Sequence, residues 1–277
     1  MDGAGPNSEY RTMTVTQYTP AIGATVTDID LTRPLTDLEL AELKRAFVEH
    51  QVLFFRDQKI SHDDHARLAE YFGTIGQHVG KKTNSQESDD PRVRKFHADG
   101  ASPRVSGNLW HTDQSCAPVP PMASILYLHT VPENGGGDTG FASMYAAYDG
   151  LSDRMKAYLD GLTAVHEGAH LFGEGTPDAV HPVVARHPES GRKLLFVNSG
   201  FTMRINDVPR AESDAILQFL YTHQIRPEWS MRFKWEPHSI AFWDNRCVHH
   251  RAISDYLPQV RSGFRVQIEG NAPPAMA

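Results

Sequence analysis

The chain has 277 residues, enough for one large domain with a substantial core or for two small ones. A formal net charge of -7 argues against nucleic acid as the main partner, because phosphate binding needs a basic stripe. No apolar run reaches membrane-spanning length, the polar start from Met1 to Asn7 is unlike a signal peptide, and two cysteines, Cys116 and Cys247, suit a reducing, cytoplasmic setting.

With no repeat and no linker-like stretch, a single domain over residues 1–277 is expected. The first segment alternates Thr with apolar residues (Met13, Val15, then Ile22, Ala24, Val26), which predicts edge strands. Thr36-x-x-Glu39 has the form of a capping box, with Leu40, Leu43 and Phe47 following at helical spacing. Val52–Phe55 is a short apolar run of strand type, and Ser61-x-x-Asp64 opens a second helix that carries Leu68 and Phe72. From Gly76 to Gly107 the chain is charged and aperiodic, which predicts a long loop acting as a lid over a site. A buried strand over Ser124–His129, a turn at Asn134–Asp138 and helices near Tyr145–Leu151 and Ser152–Leu162 come next. A second loop is expected over Glu167–Asp178, then strands at Leu194–Val197, Ser239–Trp243 and Phe264–Ile268, with a helix near Ala211–His223. Many strands and few helices predict a β-rich α+β domain built round a sandwich or barrel.

Among the 15 histidines, two His-x-Asp pairs stand out, His97-Ala98-Asp99 and His111-Thr112-Asp113. Residues i and i+2 of a strand share a face, so either pair can offer an imidazole and a carboxylate to one metal. The second pair is preferred because it follows Leu109-Trp110 and precedes a buried strand, whereas the first lies in the charged loop. A third donor must come from elsewhere; the adjacent His249 and His250 would point to opposite faces of a strand, so only one of them can reach the metal. Two imidazoles and a carboxylate on one face of an ion leave the other face open, the pattern of non-haem Fe(II) oxygenases. His181 and His187 have the look of strand-edge residues, and His166, His170, His223 and His238 show no partner pattern. Near the C-terminus, Arg261 and Arg265 alternate with Ser262, Phe264 and Val266, placing two guanidiniums on one strand face. Facing inward, they need anions or internal carboxylates to offset desolvation.

The run Trp110-His111-Thr112-Asp113, together with Gly136-Gly137-Asp138-Thr139, Phe196–Ile205, Trp243-Asp244-Asn245-Arg246-Cys247-Val248-His249-His250 and Asp255–Gln259, strongly resembles the taurine dioxygenase family of Fe(II)/2-oxoglutarate-dependent oxygenases, which also includes aryloxyalkanoate dioxygenases and alkylsulfatases. The resemblance runs from about Thr14 to Glu269. It implies a distorted double-stranded β-helix (jelly roll) with helical insertions. It selects His250 over His249, so that His111, Asp113 and His250 hold Fe(II). It implies that Arg261, 250 + 11, and the Thr139 hydroxyl bind 2-oxoglutarate, with O₂ as the second co-substrate. Arg265, His78 and Phe201 match substrate-binding positions, and Asn108 is counted with them. Two aromatic positions of the taurine pocket correspond here to Lys81 and to Gly168, after Val165-His166-Glu167, which implies an enlarged pocket with an added cation.

The resemblance implies a dioxygenase that hydroxylates a small organic anion while 2-oxoglutarate is oxidised to succinate and CO₂. An alkyl sulfonate or sulfate ester, with fragmentation of the hydroxylated product, is the first expectation. An aryloxyalkanoate or other carboxylate, including a natural-product intermediate, is the second, and a non-catalytic 2-oxoglutarate and metal sensor belongs to a different class. No nucleic-acid or membrane partner is expected, and a homo-oligomer, dimer or tetramer, is.

Overall fold

The computed structural model describes residues 10–79, 88–102 and 107–277. In chain order, β1 (Thr14–Gln17) and β2 (Ala24–Thr27) precede α1 (Asp37–His50), β3 (Val52–Phe55) and α2 (His62–Glu70). Next come β4 (Arg94–Ala98), β5 (Ala123–Thr130), β6 (Thr139–Ser143), α3 (Met144–Asp149) and α4 (Asp153–Leu159). The middle of the chain adds β7 (Thr163–His166), α5 (Ala169–Phe172), β8 (Ala179–Pro182), β9 (Val184–Arg186), β10 (Lys193–Leu195), β11 (Thr202–Ile205) and α6 (Arg210–His223). It closes with β12 (Ser230–Phe233), β13 (Ser239–Asp244), β14 (Val248–Ala252), β15 (Arg261–Ile268) and β16 (Ala275–Met276).

Seven strands form the main sheet in the order β1-β2-β3-β13-β5-β15-β4, antiparallel except where β2 meets β3. Period-two alternation sends its side chains to two cores. Val52, Phe54, Leu126, Ala241 and Trp243 join Phe141, Val248 and Phe233 of the small sheet β12-β6-β14 in one cluster. Leu53, Phe55, Ile125, Phe242 and Val266 pack instead against Leu43 and Phe47 of α1 and Leu68 of α2. Phe47 stacks on Phe242 with ring centroids 4.1 Å apart, and burying such a ring contributes about 2–3 kcal/mol. The main sheet is thus covered on both faces, which explains why β3 and β13 are buried along their whole length.

Both helices expected at the start form behind capping boxes. Thr36 accepts from the Glu39 amide while the Glu39 carboxylate accepts from Thr36, and Ser61 and Asp64 do the same. The ion pair with Arg33 and these bonds hold Glu39 at about 2. Two expected loops are corrected. Within Gly76–Gly107, residues Arg94–Ala98 form the edge strand β4, paired among the described residues to β15 alone. Its burial alternates, so an edge strand with one face toward solvent reads in sequence as a charged loop. Within Glu167–Asp178 a single turn of helix, α5, carries Leu171 and Phe172. Lys81 lies outside the described residues.

Candidate active site

The site begins with a backbone bridge. The amide of His111 donates to the carbonyl of His250 at 3.1 Å, and the amide of His250 donates back at 2.8 Å. This reciprocal pair ties the segment after Trp110 to β14 and brings the two imidazoles together, ring centroids 4.3 Å apart. His111 Nε2 and His250 Nε2 each lie 3.7 Å from Asp113 Oδ1, and the three donor atoms lie within 4.8 Å of one another. His111 Nδ1 donates to the Leu109 carbonyl at 2.7 Å, which leaves the Nε2 lone pair directed at the gap. Burial pushes both imidazoles down from their ordinary value, so they are neutral and able to ligate. For Asp113, burial works upward, but the charge of Arg265 and a bond from Ser124 outweigh it and hold the carboxyl well below the usual range. Two neutral imidazoles and one carboxylate suit a divalent first-row ion with open positions.

The neighbouring His249 makes no such approach. Both its ring nitrogens are buried without a hydrogen-bond partner among the described residues, and burial pushes it down to about 3. The other His-x-Asp pair lies at the end of β4, where His97 bonds Ser262 at 3.2 Å and Asp99 at 3.3 Å, with no third donor among the described residues. A second cluster of three, His187, Asp244 and Cys247, has metal-like composition, but its hydrogen bonds argue otherwise. His187 Nδ1 accepts from the amides of Glu189 and Ser190, so its Nε2–H donates to Asp244 at 3.0 Å. Arg246 occupies the same carboxylate through two nitrogens. The cluster is a satisfied ion-pair network. Both cysteines are free and buried.

Ser124 is the hub behind the carboxylate. It donates to Asp113 Oδ2 at 2.7 Å and accepts from Arg265 at 3.0 Å and Asn245 at 3.2 Å. Arg265 also reaches Asp113 Oδ2 directly, so the internal-carboxylate expectation for this arginine holds in part, while its Nε has no partner among the described residues. Across the sheet, Arg265 stands directly opposite Arg94 of β4. Burial and the charge of Arg265 push the Arg94 guanidinium down.

Arg261 is 2 % exposed and has no carboxylate partner among the described residues. Its guanidinium stacks on Phe96 at 4.8 Å and Trp235 at 5.4 Å and donates to the Thr139 hydroxyl at 3.3 Å, while its Nε is unpartnered. Thr139 also accepts from Trp235 Nε1 at 3.0 Å, which leaves the threonine proton free for an incoming anion. The buried Tyr256 hydroxyl has no hydrogen-bond partner among the described residues either. A fully buried, unneutralised guanidinium is the mark of an anion site, and its planar fork matches a carboxylate such as the distal end of 2-oxoglutarate. The strand bends to accommodate this row: the register of β15 against β5 shifts between Ser262 and Gly263. A Cβ on Gly263 would lie 1.9 Å from the Tyr127 carbonyl, so only glycine fits.

The remaining expected residues lie round the donor set. The His78 ring meets Phe172 edge-on at 4.9 Å, Phe172 lies 5.9 Å from Phe201, and Phe201 lies 6.1 Å from His111. Phe172, four residues after Gly168 on α5, thus stands between His78 and Phe201 in one aromatic row. Gly168 itself packs against Cys116 and Thr176. Asn108 is exposed. Gln114, with φ of 49°, accepts from the Val79 amide at 2.6 Å and donates to Gln267 at 2.8 Å, fastening the His78 segment to the strand that carries Arg265. Sequence reasoning missed Ser124, Gln114, Trp235 and Phe172. Only Ser124 had a signal, a lone hydroxyl inside an apolar strand.

Residues 14–267 match the family described as taurine catabolism dioxygenase TauD, TfdA family. The chain is 37% identical over 270 residues to a provisionally named alpha-ketoglutarate-dependent sulfonate dioxygenase of Schizosaccharomyces pombe, covering 91% of this chain and 68% of that protein. It is 32% identical to the alpha-ketoglutarate-dependent sulfate ester dioxygenase of Pseudomonas putida, over 91% of this chain and 88% of the relative. A crystal structure of a taurine dioxygenase from Burkholderia xenovorans superposes with a TM-score of 0.85 at 35% identity, covering 95% of this chain and 91% of that one. Fe(II), 2-oxoglutarate and O₂ are the cofactor and co-substrates of this chemistry, and the donor set and the orphaned Arg261 fit them. The chain belongs to the TauD, TfdA family and is a non-haem Fe(II)- and 2-oxoglutarate-dependent dioxygenase.

Proposed function

We propose that the protein hydroxylates a small alkyl sulfonate or sulfate ester at the carbon bearing the anionic group. The observation that carries this reading is Arg265, an inward-facing guanidinium beside the donor set with its Nε–H unclaimed, in a chain similar to sulfonate and sulfate ester dioxygenases. Hydroxylation beside a sulfonate gives an α-hydroxysulfonate, which expels sulfite as the carbon becomes a carbonyl.

In this reading His111, Asp113 and His250 hold Fe(II), and Arg261 with Thr139 holds the distal carboxylate of 2-oxoglutarate. Bound there, the iron and keto acid supply the oxidising power for C–H hydroxylation. The chain's own residues bind and orient. Arg265 fixes the anionic head, while His78, Phe172 and Phe201 wall the substrate from water and Asn108 stands at the exposed rim. Ser124 keeps the Asp113 Oδ2 engaged so that Oδ1 stays directed to the metal. No side chain is needed as a general base.

The finer architecture is a distorted jelly roll with helical insertions in one catalytic domain, and the protein acts in the cytoplasm as a homo-oligomer. Support for the fold comes from the main sheet facing the β12-β6-β14 sheet across the donor set. The test is anaerobic addition of Fe(II) and 2-oxoglutarate, then alkyl sulfonates, alkyl sulfates and O₂, with succinate and sulfite or sulfate measured. Substrate-dependent succinate with matching release of sulfite or sulfate is expected. Succinate that no sulfonate or sulfate ester stimulates would reject the substrate class.

A further inference from the structure

We propose that the Tyr256 hydroxyl is a third donor to the distal carboxylate of 2-oxoglutarate, completing a cradle with Arg261 and Thr139. The inference rests on the reading that puts that carboxylate at Arg261 and Thr139, and deepens it.

Tyr256 stands in the link between Ala252 at the end of β14 and Arg261 at the start of β15. Its side chain is 1 % exposed, yet its hydroxyl has no hydrogen-bond partner among the described residues. Buried phenols ordinarily find a partner, because the O–H gives up water on folding. The ring packs with Ala98, Ala252 and Phe96, and each of these borders the Arg261 site. Ala98 is the cross-strand partner of Arg261, Ala252 is that of Thr139, and Phe96 stacks on the Arg261 guanidinium at 4.8 Å.

Gly137 joins the two polar residues. A Cβ there would lie 3.0 Å from Arg261 Cδ and 3.2 Å from Tyr256 Cδ1, so a side chain would crowd both the ring and the guanidinium stem. The φ of 81° at this turn also favours glycine. Burial pushes the Tyr256 phenol up and the charge of Arg261 opposes that push, which puts the two polar ends within electrostatic reach. The backbone fixes the ring without using the hydroxyl. The Gly137 amide donates to Asp255 Oδ1 at 2.8 Å, and the Gln259 amide donates to the Tyr256 carbonyl at 2.9 Å. A donor that is held, buried and unclaimed is preorganised for a ligand.

The lone pairs of a carboxylate supply the complement. Its two oxygens offer about four acceptor positions. The Arg261 fork fills two of them and the Thr139 proton a third. The Tyr256 O–H fills the fourth. A rival acceptor is Asp138 Oδ1, also buried without a partner among the described residues, while its Oδ2 accepts from Arg232 at 3.0 Å. A water bridging Tyr256 to Asp138 would make the phenol a structural tie, and the experiment separates the two.

The test is calorimetric titration of the Mn(II)-loaded protein, which holds a keto acid without turnover, with two probes. 2-Oxoglutarate carries the distal carboxylate, and 2-oxopentanoate has a methyl group in its place. Tyr256→Phe removes the hydroxyl and keeps the ring. Loss of one hydrogen bond to a charged group predicts a 2-oxoglutarate dissociation constant raised about 10- to 100-fold. Binding of 2-oxopentanoate should change less than about 2-fold, because it lacks the group that the phenol would bind. The urea midpoint of metal-free Tyr256→Phe should hold or rise, since an unpaired buried hydroxyl contributes nothing to the empty fold. Unchanged 2-oxoglutarate affinity, or an equal loss for both keto acids, would overturn the inference. A lowered urea midpoint with unchanged affinity would overturn it in favour of the bridge to Asp138. Arg261→Met, titrated alongside, tests the reading beneath: its failure to weaken the preference for 2-oxoglutarate over 2-oxopentanoate would overturn both.

Discussion

Replacing Arg261 by Met should leave the stability of the metal-free protein nearly unchanged while removing 2-oxoglutarate binding. Burial pushes the Arg261 guanidinium down to about 10, which penalises its charged form at neutral pH by about 3 kcal/mol. The penalty is fully present at pH 7, where the group is charged in both the folded and the unfolded chain. Against it stand the stacking on Phe96 and Trp235 and the bond to Thr139, about 1 kcal/mol each. The two sides nearly cancel, and a methionine of similar length keeps the space filled. Urea unfolding of Arg261→Met should therefore fall within about 1 kcal/mol of wild type, whereas truncating a fully buried side chain ordinarily costs about 2–5 kcal/mol. Binding behaves oppositely. Two charge-assisted bonds to the distal carboxylate are worth about 3 kcal/mol or more together, so affinity for 2-oxoglutarate should fall at least ~100-fold. Equilibrium unfolding with and without Mn(II) and 2-oxoglutarate measures both quantities on one sample. A large loss of stability without ligand, combined with retained 2-oxoglutarate stabilisation, would show that the guanidinium is a structural tie.

Asp113→Ala should lower Mn(II) affinity by about 100-fold or more, measured by calorimetry, since it removes the one anionic donor and leaves Arg265 facing the imidazoles. Wild type should bind one equivalent of Mn(II), and His187→Gln should keep that stoichiometry while costing about 2–4 kcal/mol, because it leaves the buried Asp244 with only Arg246; a second equivalent lost in this variant would refute the ion-pair reading. His65 is fully buried on α2, and burial pushes it down to about 4. Below about 6.5 the unfolded chain takes up a proton that the folded chain refuses until about 4, so stability falls with pH, by about 2 kcal/mol from this group at pH 5. His65→Asn should flatten the pH dependence of the urea midpoint by that amount, and parallel profiles would count against it.

The donor set was legible because its elements obey simple periodicities. His111 and Asp113 lie two apart, His111 bridged to β14 and Asp113 opening the turn that follows, and the adjacency of His249 and His250 meant that only one could share a face with them. The elements that sequence reasoning lost are those where function or position overrides the apolar pattern. β14 carries His249, His250 and Arg251 where a buried strand would ordinarily carry Val or Ile, so it shows no hydrophobic run. β4 is an edge strand whose covered face includes an arginine, which removes its alternation from view. β7, β8 and β11 have four residues each, as β3 does, but carry His, Thr or Arg among their apolar residues and so lack its continuous apolar run. Phe172 was lost for a different reason: an aromatic ring was sought at the aligned position, Gly168, and a turn of helix places one further along the chain.

The reciprocal amide–carbonyl pair between His111 and His250 bears on the order in which the enzyme is assembled. Two donors are spaced by peptide hydrogen bonds, and the third is fixed by Ser124 and Arg265, so none of the three depends on an ion for its position. In a zinc finger, by contrast, the metal is the core, and chelation unfolds the chain. Here the polypeptide can finish folding empty and acquire iron afterwards. Stripping with a chelator should then be a reversible loss of activity, undone by adding Fe(II) to protein that never left its native state.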